Sequence, residues 1–473
     1  MTTKMTANQI GKFYVLLNGI NDIAYFGFLT LQFLLLEPTL RALLPEAQAS
    51  MSIGLTMTLI ALQLLFQILA EGPTGAIADM YGRARAVAMS FWCRLVAIIL
   101  VIVCVLVDLR SDSPALALSA VIGALILAQV LTATGEAFLE GSIEAWLCDE
   151  CKIADPENHK EIINKTFEYS ALAQNIAILL AVTIVLVAWQ ASGKPGGIAL
   201  AALAGGLCLA GAVISHRLSA REAFIGRAAE VTVLESSPEC LSADKTIKSK
   251  LSAAFMVAFR SDKVSVRRLI VVLVLPFPCW IMLSWFYTSF VQSSGSGDTT
   301  SLPASYLLWL GITLGVARVL GAWVGKWLGR YTDEESLQAV FEKAVLVNVS
   351  FLFGAAMLLV LRPLVESSFY SSIGIALFLS SVAMAKGSEE VIKLSKNKFL
   401  ASALPNGEIR ATTLSFVSVA QNAFGFVAIS LSGLLAFTVT DSNIRQPVII
   451  FAVCASTGIA GWLIYFGGKR LSG

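Results

Sequence analysis

The chain has 473 residues, 56% of them hydrophobic and only 14% charged, with a mean hydropathy of +0.76 and a net charge of +2. A soluble domain carries about 25% charged residues, so this chain cannot cover a water-facing surface, and lipid is the solvent that removes the need. Soluble enzyme and nucleic-acid-binding classes are therefore excluded, and the pattern of apolar runs decides the rest.

A helix that crosses a bilayer needs about 20 predominantly apolar residues. Runs of that size lie near 12–36, 53–78, 86–107, 115–147, 168–190 and 196–215. A charged stretch at 216–267 follows, then runs near 269–291, 304–326, 340–361, 367–386, 411–437 and 447–467. The expectation is an all-α polytopic membrane protein of twelve transmembrane helices in two six-helix bundles, 1–215 and 268–473. Lys4 and Lys12 precede the first run with no small-residue cleavage site behind it, which argues for a retained first helix.

Basic residues set the orientation. With the N-terminus inside, Arg41, Arg110, Lys194, Arg362 and Arg445 fall outside, Arg94 and Arg318 fall within spans, and the other 27 of the 34 Lys and Arg are inside. That asymmetry follows the positive-inside rule and predicts two cytoplasmic termini. The linker 216–267 is then cytoplasmic, and Leu251, Phe255, Ala258 and Phe259 among its bases predict an amphipathic helix on the inner surface.

Polar side chains inside spans are costly and tend to face a wet cavity or a partner. Span one carries Asn18, Asn21, Asp22, Tyr25 and Gln32 within one arc, and span two carries Gln63, Gln67 and Glu71. Glu71, near the end of its span, reads as interfacial. Span three has Arg94, and span four has Gln129, Thr132, Glu136 and Glu140. Span seven contributes Trp280, Ser284, Tyr287 and Thr288, span eight Arg318, and span eleven Ser418, Gln421 and Asn422. Arg318 either binds an anionic substrate group or pairs across the halves.

The eight cysteines are scattered through apolar runs and build no disulfide framework. Cys148-x-x-Cys151 lacks a four-ligand set, so no metal or cofactor is expected. No phosphate loop of the G-x-x-x-x-G-K-[ST] kind is present, which disfavours a nucleotide-driven pump.

Between spans two and three stands Gly75-Ala-Ile-Ala-Asp79-Met-Tyr-Gly82-Arg83-Ala-Arg85. Gly75 permits close helix packing and Gly82 a tight turn. Span four ends Gly141-Ser-Ile-Glu144-Ala-Trp146-Leu-Cys-Asp149-Glu150, and span eleven is preceded by Leu404-Pro405-Asn-Gly-Glu-Ile-Arg410-Ala-Thr412. These stretches resemble the major facilitator superfamily, in a branch that includes many bacterial exporters. Met80 departs from the loop signature, where a base is usual. Gly321-x-x-x-Gly325-Lys326-Trp-Leu-Gly329-Arg330 is similar to a degenerate second copy between spans eight and nine. Span four lacks a central Arg and span five the Gly-Pro-rich run of drug–proton antiporters.

The resemblance implies alternating access, with spans one, four, seven and ten lining a central cavity. It also implies a cytoplasmic gate of Gly75, Asp79, Gly82, Arg83, Glu144, Asp149 and Arg410. Asp79 is then expected to face the start of span eleven, and Arg83 an acid at the end of span four. Asp22, Glu136 and Glu140 are the proton-coupling candidates, because an acid in low dielectric can exchange a proton. The same acids could instead neutralise Arg94 in a structural pair. The substrate cavity is assigned to Asn18, Asn21, Tyr25, Gln32, Arg94, Gln129, Ser284, Tyr287, Arg318, Gln421 and Asn422. The function expected is proton-coupled export of a small anionic or zwitterionic organic solute by a monomer in the inner membrane. Two alternatives stay open: proton-coupled uptake of a nutrient or metabolite, and an uncoupled lipid translocase or transporter-like receptor.

Overall fold

In the computed structural model the residues described are 5–43, 51–106, 114–234, 304–328, 334–361, 368–403 and a few positions between 418 and 430. They are helical almost throughout. The helices are α1 (Ala7–Leu43), α2 (Met51–Tyr81), α3 (Arg83–Leu106), α4 (Pro114–Leu139), α5 (Ser142–Ala154), α6 (His159–Ser192), α7 (Lys194–Leu234), α8 (Ala304–Leu328), α9 (Glu334–Leu361) and α10 (Ser368–Ala403).

Three glycines set the breaks. Gly82 (φ 107°) separates α2 from α3, Gly141 (φ 79°) divides span four into α4 and α5, and Gly193 (φ 57°) turns α6 into α7. A side chain at these left-handed positions would be strained. Pro195 follows inside the first turn of α7, where its missing N–H costs nothing. Pro73 lies within α2, and beside it the Thr74 hydroxyl donates to the Ala137 carbonyl of α4 at 2.9 Å.

Each helix buries one stripe. In α3 the stripe is Val87, Phe91, Arg94, Ile98, Val101 and Val105, the three-and-four spacing of a helix face. Gly211 of α7 lies on the Phe91 ring so closely that a Cβ there would come within 2.6 Å of it. The opposite faces expose Ile99, Val103, Leu180, Ile184, Leu203 and Val213, apolar surface that suits lipid rather than water. Among the described residues, Arg83–Leu106, Ser119–Ala154, His159–Trp189 and Pro195–Ala220 are long and apolar enough to cross a membrane.

Helices α1–α7 pack mainly on one another, as do α8–α10, and α6 packs against α8 and α10 to join the two sets. Tyr14 of α1 meets Phe167 of α6 edge to face at 5.8 Å within the first set. Several helices overrun the apolar runs. α7 continues through the first part of the expected linker to Leu234, and α10 continues past the expected end of span ten to Ala403. The amphipathic segment around 251–263 lies outside the described residues, as do Ser284, Tyr287, Arg410 and Gln421.

Candidate functional site

The loop between α2 and α3 orders three polar elements around Arg83. Its Nε and one Nη donate to Asp79 Oδ1 at 3.3 and 3.0 Å, the other Nη donates to the Ala145 carbonyl at 3.0 Å, and that same nitrogen pairs with Asp149. The positive φ of Gly82 brings Arg83 into this position one residue after α2 ends. Arg83 thus meets the acid at the end of span four, and the acid is Asp149. The stretch that Asp79 was expected to face lies outside the described residues. Gly75 is buried against the neighbouring helices, and Glu144 stands in the first turn of α5.

Deeper in the first set, α1, α2, α3 and α4 bring polar groups together. Arg94, only 3% exposed, forms an ion pair with Glu136 of α4. Its guanidinium carbon lies 4.8 Å from the centroid of the Tyr25 ring, a cation–π arrangement. Gln63 donates to the Tyr25 hydroxyl at 3.4 Å. Asp22 accepts from Asn21 at 3.3 Å, and Asn18 donates to the Tyr14 carbonyl at 3.2 Å. Nε and one Nη of Arg94, Oδ1 of Asn21 and Oε1 of Gln129 are buried with no hydrogen-bond partner among the described residues. Gly135 leaves the room that Arg94 needs, since a Cβ there would come within 3.2 Å of Arg94 Cγ. Of the three acids that could neutralise Arg94, the structure pairs it with Glu136. For Gln32 only the backbone is described, and it is helical.

Two further clusters join the halves. In the first, Glu71 is completely buried and accepts from Gln67 (2.9 Å), Ser418 (2.8 Å) and Asn422 (2.6 Å), all on Oε1. Gln67 also donates to Glu140 at 3.3 Å. Glu71 therefore lies inside the seam between α2 and span eleven. Asn422, read as a cavity residue, is its partner there.

The second cluster lies along α6, where Glu168, Asn175 and Leu179 fall on one face at seven- and four-residue spacing. Arg318 of α8 pairs with Glu390 of α10 at 2.8 Å, Asn175 donates to Glu390 at 2.9 Å, and Arg318 donates to Asn175 at 3.1 Å. Lys398 of α10 pairs with Glu168 at 2.6 Å, and Lys326 lies 4.2 Å from the Tyr169 ring centroid. Arg318 thus pairs both within its own half and across the seam. The run Lys386, Glu389, Glu390 and Lys393 continues this cluster in α10, with Lys386 and Lys393 each 2.7–2.8 Å from Glu389.

The run lies on one face of the continuous helix α10, with Lys386, Glu389 and Glu390 buried. The signal was present in opposite charges at three- and four-residue spacing. Glu168 and Asn175 carried no such signal.

Solved structures share the fold of this chain. A bacterial homologue of the iron transporter ferroportin, in its outward-facing state, superposes with a TM-score of 0.60 at 13% identity, over 97% of this chain and 99% of that one. The chain has the major facilitator fold. The xylose transporter XylE from E. coli, in a partially occluded inward-open conformation, gives a TM-score of 0.62 at 12% identity, over 97% of this chain and 96% of that one. A variant of the nucleoside transporter NupG gives 0.60 at 14% identity, over 97% and 99%. No family model matches the sequence, and no curated protein matches it. Within the major facilitator fold, the Asp79–Arg83–Asp149 contacts occupy the loop that the sequence motif marks, and the Arg94 cluster lies inside the first bundle.

Proposed function

We propose that this protein is a secondary transporter working by alternating access, which exports a small organic solute bearing an anionic or zwitterionic group in exchange for protons. The observation that carries the reading is Arg94. A buried guanidinium needs its donors satisfied, and Glu136 and the Tyr25 face leave two of its nitrogens with no acceptor among the described residues. A carboxylate or phosphate on a solute supplies planar acceptors for that fork. Asp22 and Glu136 lie within the same group of helices, so proton and solute can compete for one charge balance. The export direction rests on the likeness of the span-four and span-eleven stretches to exporter-like sequences, and the inner-membrane orientation on the basic loops.

Uptake by symport is the second reading, favoured by the likeness to a structure of XylE described as a proton:xylose symporter (TM-score 0.60, 14% identity). One experiment separates them. Purified protein in proteoliposomes under an imposed pH gradient is given a panel of organic anions and zwitterions while lumenal pH is followed. Solute-dependent proton flux that disappears in Asp22→Asn or Glu136→Gln establishes coupling, and its sign gives antiport or symport. Solute movement without any proton flux overturns the coupled reading.

A further inference from the structure

The seam at Glu71 has a chemistry that the Arg94 cluster does not explain. Glu71 has no exposed surface, and no Lys or Arg touches it among the described residues. Three donors from two parts of the chain converge on one oxygen: the Gln67 amide of α2, and the Ser418 hydroxyl and Asn422 amide of span eleven. The other oxygen, Oε2, is buried without a hydrogen-bond partner among the described residues. An ionised carboxylate carries equal charge on both oxygens, and leaving one dry and unpartnered is expensive. Protonating Oε2 removes the charge, so what stays unpartnered is one hydroxyl rather than a desolvated carboxylate with no cation beside it, and Oε1 keeps its three donors as a carbonyl oxygen. Gln67 also reaches Glu140, so a second carboxyl sits one amide away, and two close carboxyls without a cation do not both hold charge cheaply.

We infer that Glu71 carries a proton while the two bundles are joined along α2 and span eleven, and that this proton is taken up from water as the seam closes and returned to water as it opens. A metal cation fits worse than a proton. Two of the three groups on Oε1 meet it through amide nitrogens, which offer a cation no lone pair, and no cluster of three or more His, Cys, Asp or Glu is found among the described residues. Other charges facing α2 are already engaged. On α3, Arg83 is held by Asp79 and Asp149, Arg85 donates to Ser219, and Arg94 pairs with Glu136 of α4. On α1, Asp22 accepts from Asn21 and Tyr25 from Gln63. The described residues of span eleven that reach Glu71, Ser418 and Asn422, carry no titratable group. Closing the seam is thereby a proton-binding event separate from solute binding, and it adds a coupling step to the alternating-access reading on which it rests.

The test uses full-length protein in lipid nanodiscs. Infrared spectra recorded across a pH series read the carbonyl stretch of protonated carboxylic acids. Spin labels at Tyr81→Cys and Trp327→Cys, both exposed and each at the C-terminal end of its helix (α2 and α8), read the separation of the bundles in a background lacking the native cysteines. The expected result is a protonated-acid band that is lost in Glu71→Gln. The closed fraction should fall at least tenfold from acidic to alkaline pH in the parent and stay constant in Glu71→Gln. Glu140→Gln should keep the band and weaken the pH response. A band unchanged by Glu71→Gln, or a pH response that survives it, overturns the inference. Closure that follows sodium at fixed pH overturns it in favour of a metal cation. A protein that moves no solute but keeps the band and the pH response removes the transporter reading and leaves this one standing.

Discussion

Asn422 donates its side-chain amide to Glu71 at 2.6 Å, joining positions 351 residues apart across the seam between the two halves. Glu71 lies eight residues before Asp79, roughly 12 Å along α2 from the loop motif. Asn422→Ala leaves a buried acceptor short of a donor, which costs about 1–3 kcal/mol. The closed population should drop roughly 5- to 150-fold. Asn422→Asp should do more, because it sets a third carboxyl beside Glu71 and Glu140. Spin-label distances between the bundles read both variants. An Asn422→Asp protein as closed as the parent would remove Glu71 from the seam.

The Arg94–Glu136 pair makes a prediction that separates stability from transport. Removing one partner of a buried pair strands the other charge and costs about 3–5 kcal/mol. Arg94→Met and Glu136→Leu should each lower the thermal midpoint of unfolding in detergent. The double variant should recover most of that loss, since a well-packed apolar pair often replaces a buried ion pair without penalty. Solute transport should stay absent in the double variant. Recovery of transport together with stability would make the pair purely structural. Arg94→Lys is expected to fold yet transport poorly, because a point charge lacks the planar fork and stacks less well on Tyr25.

Much of the architecture was legible in the sequence because bilayer thickness imposes a length on apolar runs, and Gly82 and Arg83 sit in a loop whose geometry depends on them. Arg94 and Glu136 were legible too, since a charge inside an apolar run calls for a partner. Helix ends were not, because hydropathy stops where charge begins. The charges of Lys386, Glu389 and Glu390 are buried by mutual pairing, which hydropathy does not register. The partners of Glu71 were hidden for a related reason: Ser418 and Asn422 stand some 350 residues away, and no local pattern announces them.

Glu168 and Lys398 form an ionic contact across the seam at 2.6 Å, with the Lys398 side chain nearly fully buried. Glu168→Gln or Lys398→Met should each shift the protein toward the separated state and raise hydrogen exchange at the start of α6. Exchanging the charges, Glu168→Lys with Lys398→Glu, should restore closure at least in part, because the pair's geometry is local and both helices persist. Failure of the swap alongside intact folding would assign the contact to packing rather than charge.

Two glycines of α8 distinguish packing across the seam from packing within a bundle. A Cβ at Gly315 would come within 3.0 Å of Leu179 Cβ in α6, the opposite half. A Cβ at Gly321 would collide with the backbone of Gly387 in α10, the same half, and one at Gly387 would come within 3.0 Å of the Ala317 carbonyl. The clash at Gly315 is relieved when the bundles separate, whereas the clash at Gly321 persists in every state, because α8 and α10 stay together. Gly315→Val should therefore fold with a nearly unchanged thermal midpoint, hold the bundles apart where α6 meets α8 and transport at a small fraction of the parent rate. Gly321→Val should lower the midpoint itself, since forcing extra volume into a tight helix crossing costs about 1–3 kcal/mol. Measuring the midpoint and the inter-bundle distance on both variants gives a two-by-two outcome. If Gly315→Val lowers the midpoint and leaves the distance unchanged, α6 and α8 belong to one rigid body, and the moving seam lies elsewhere.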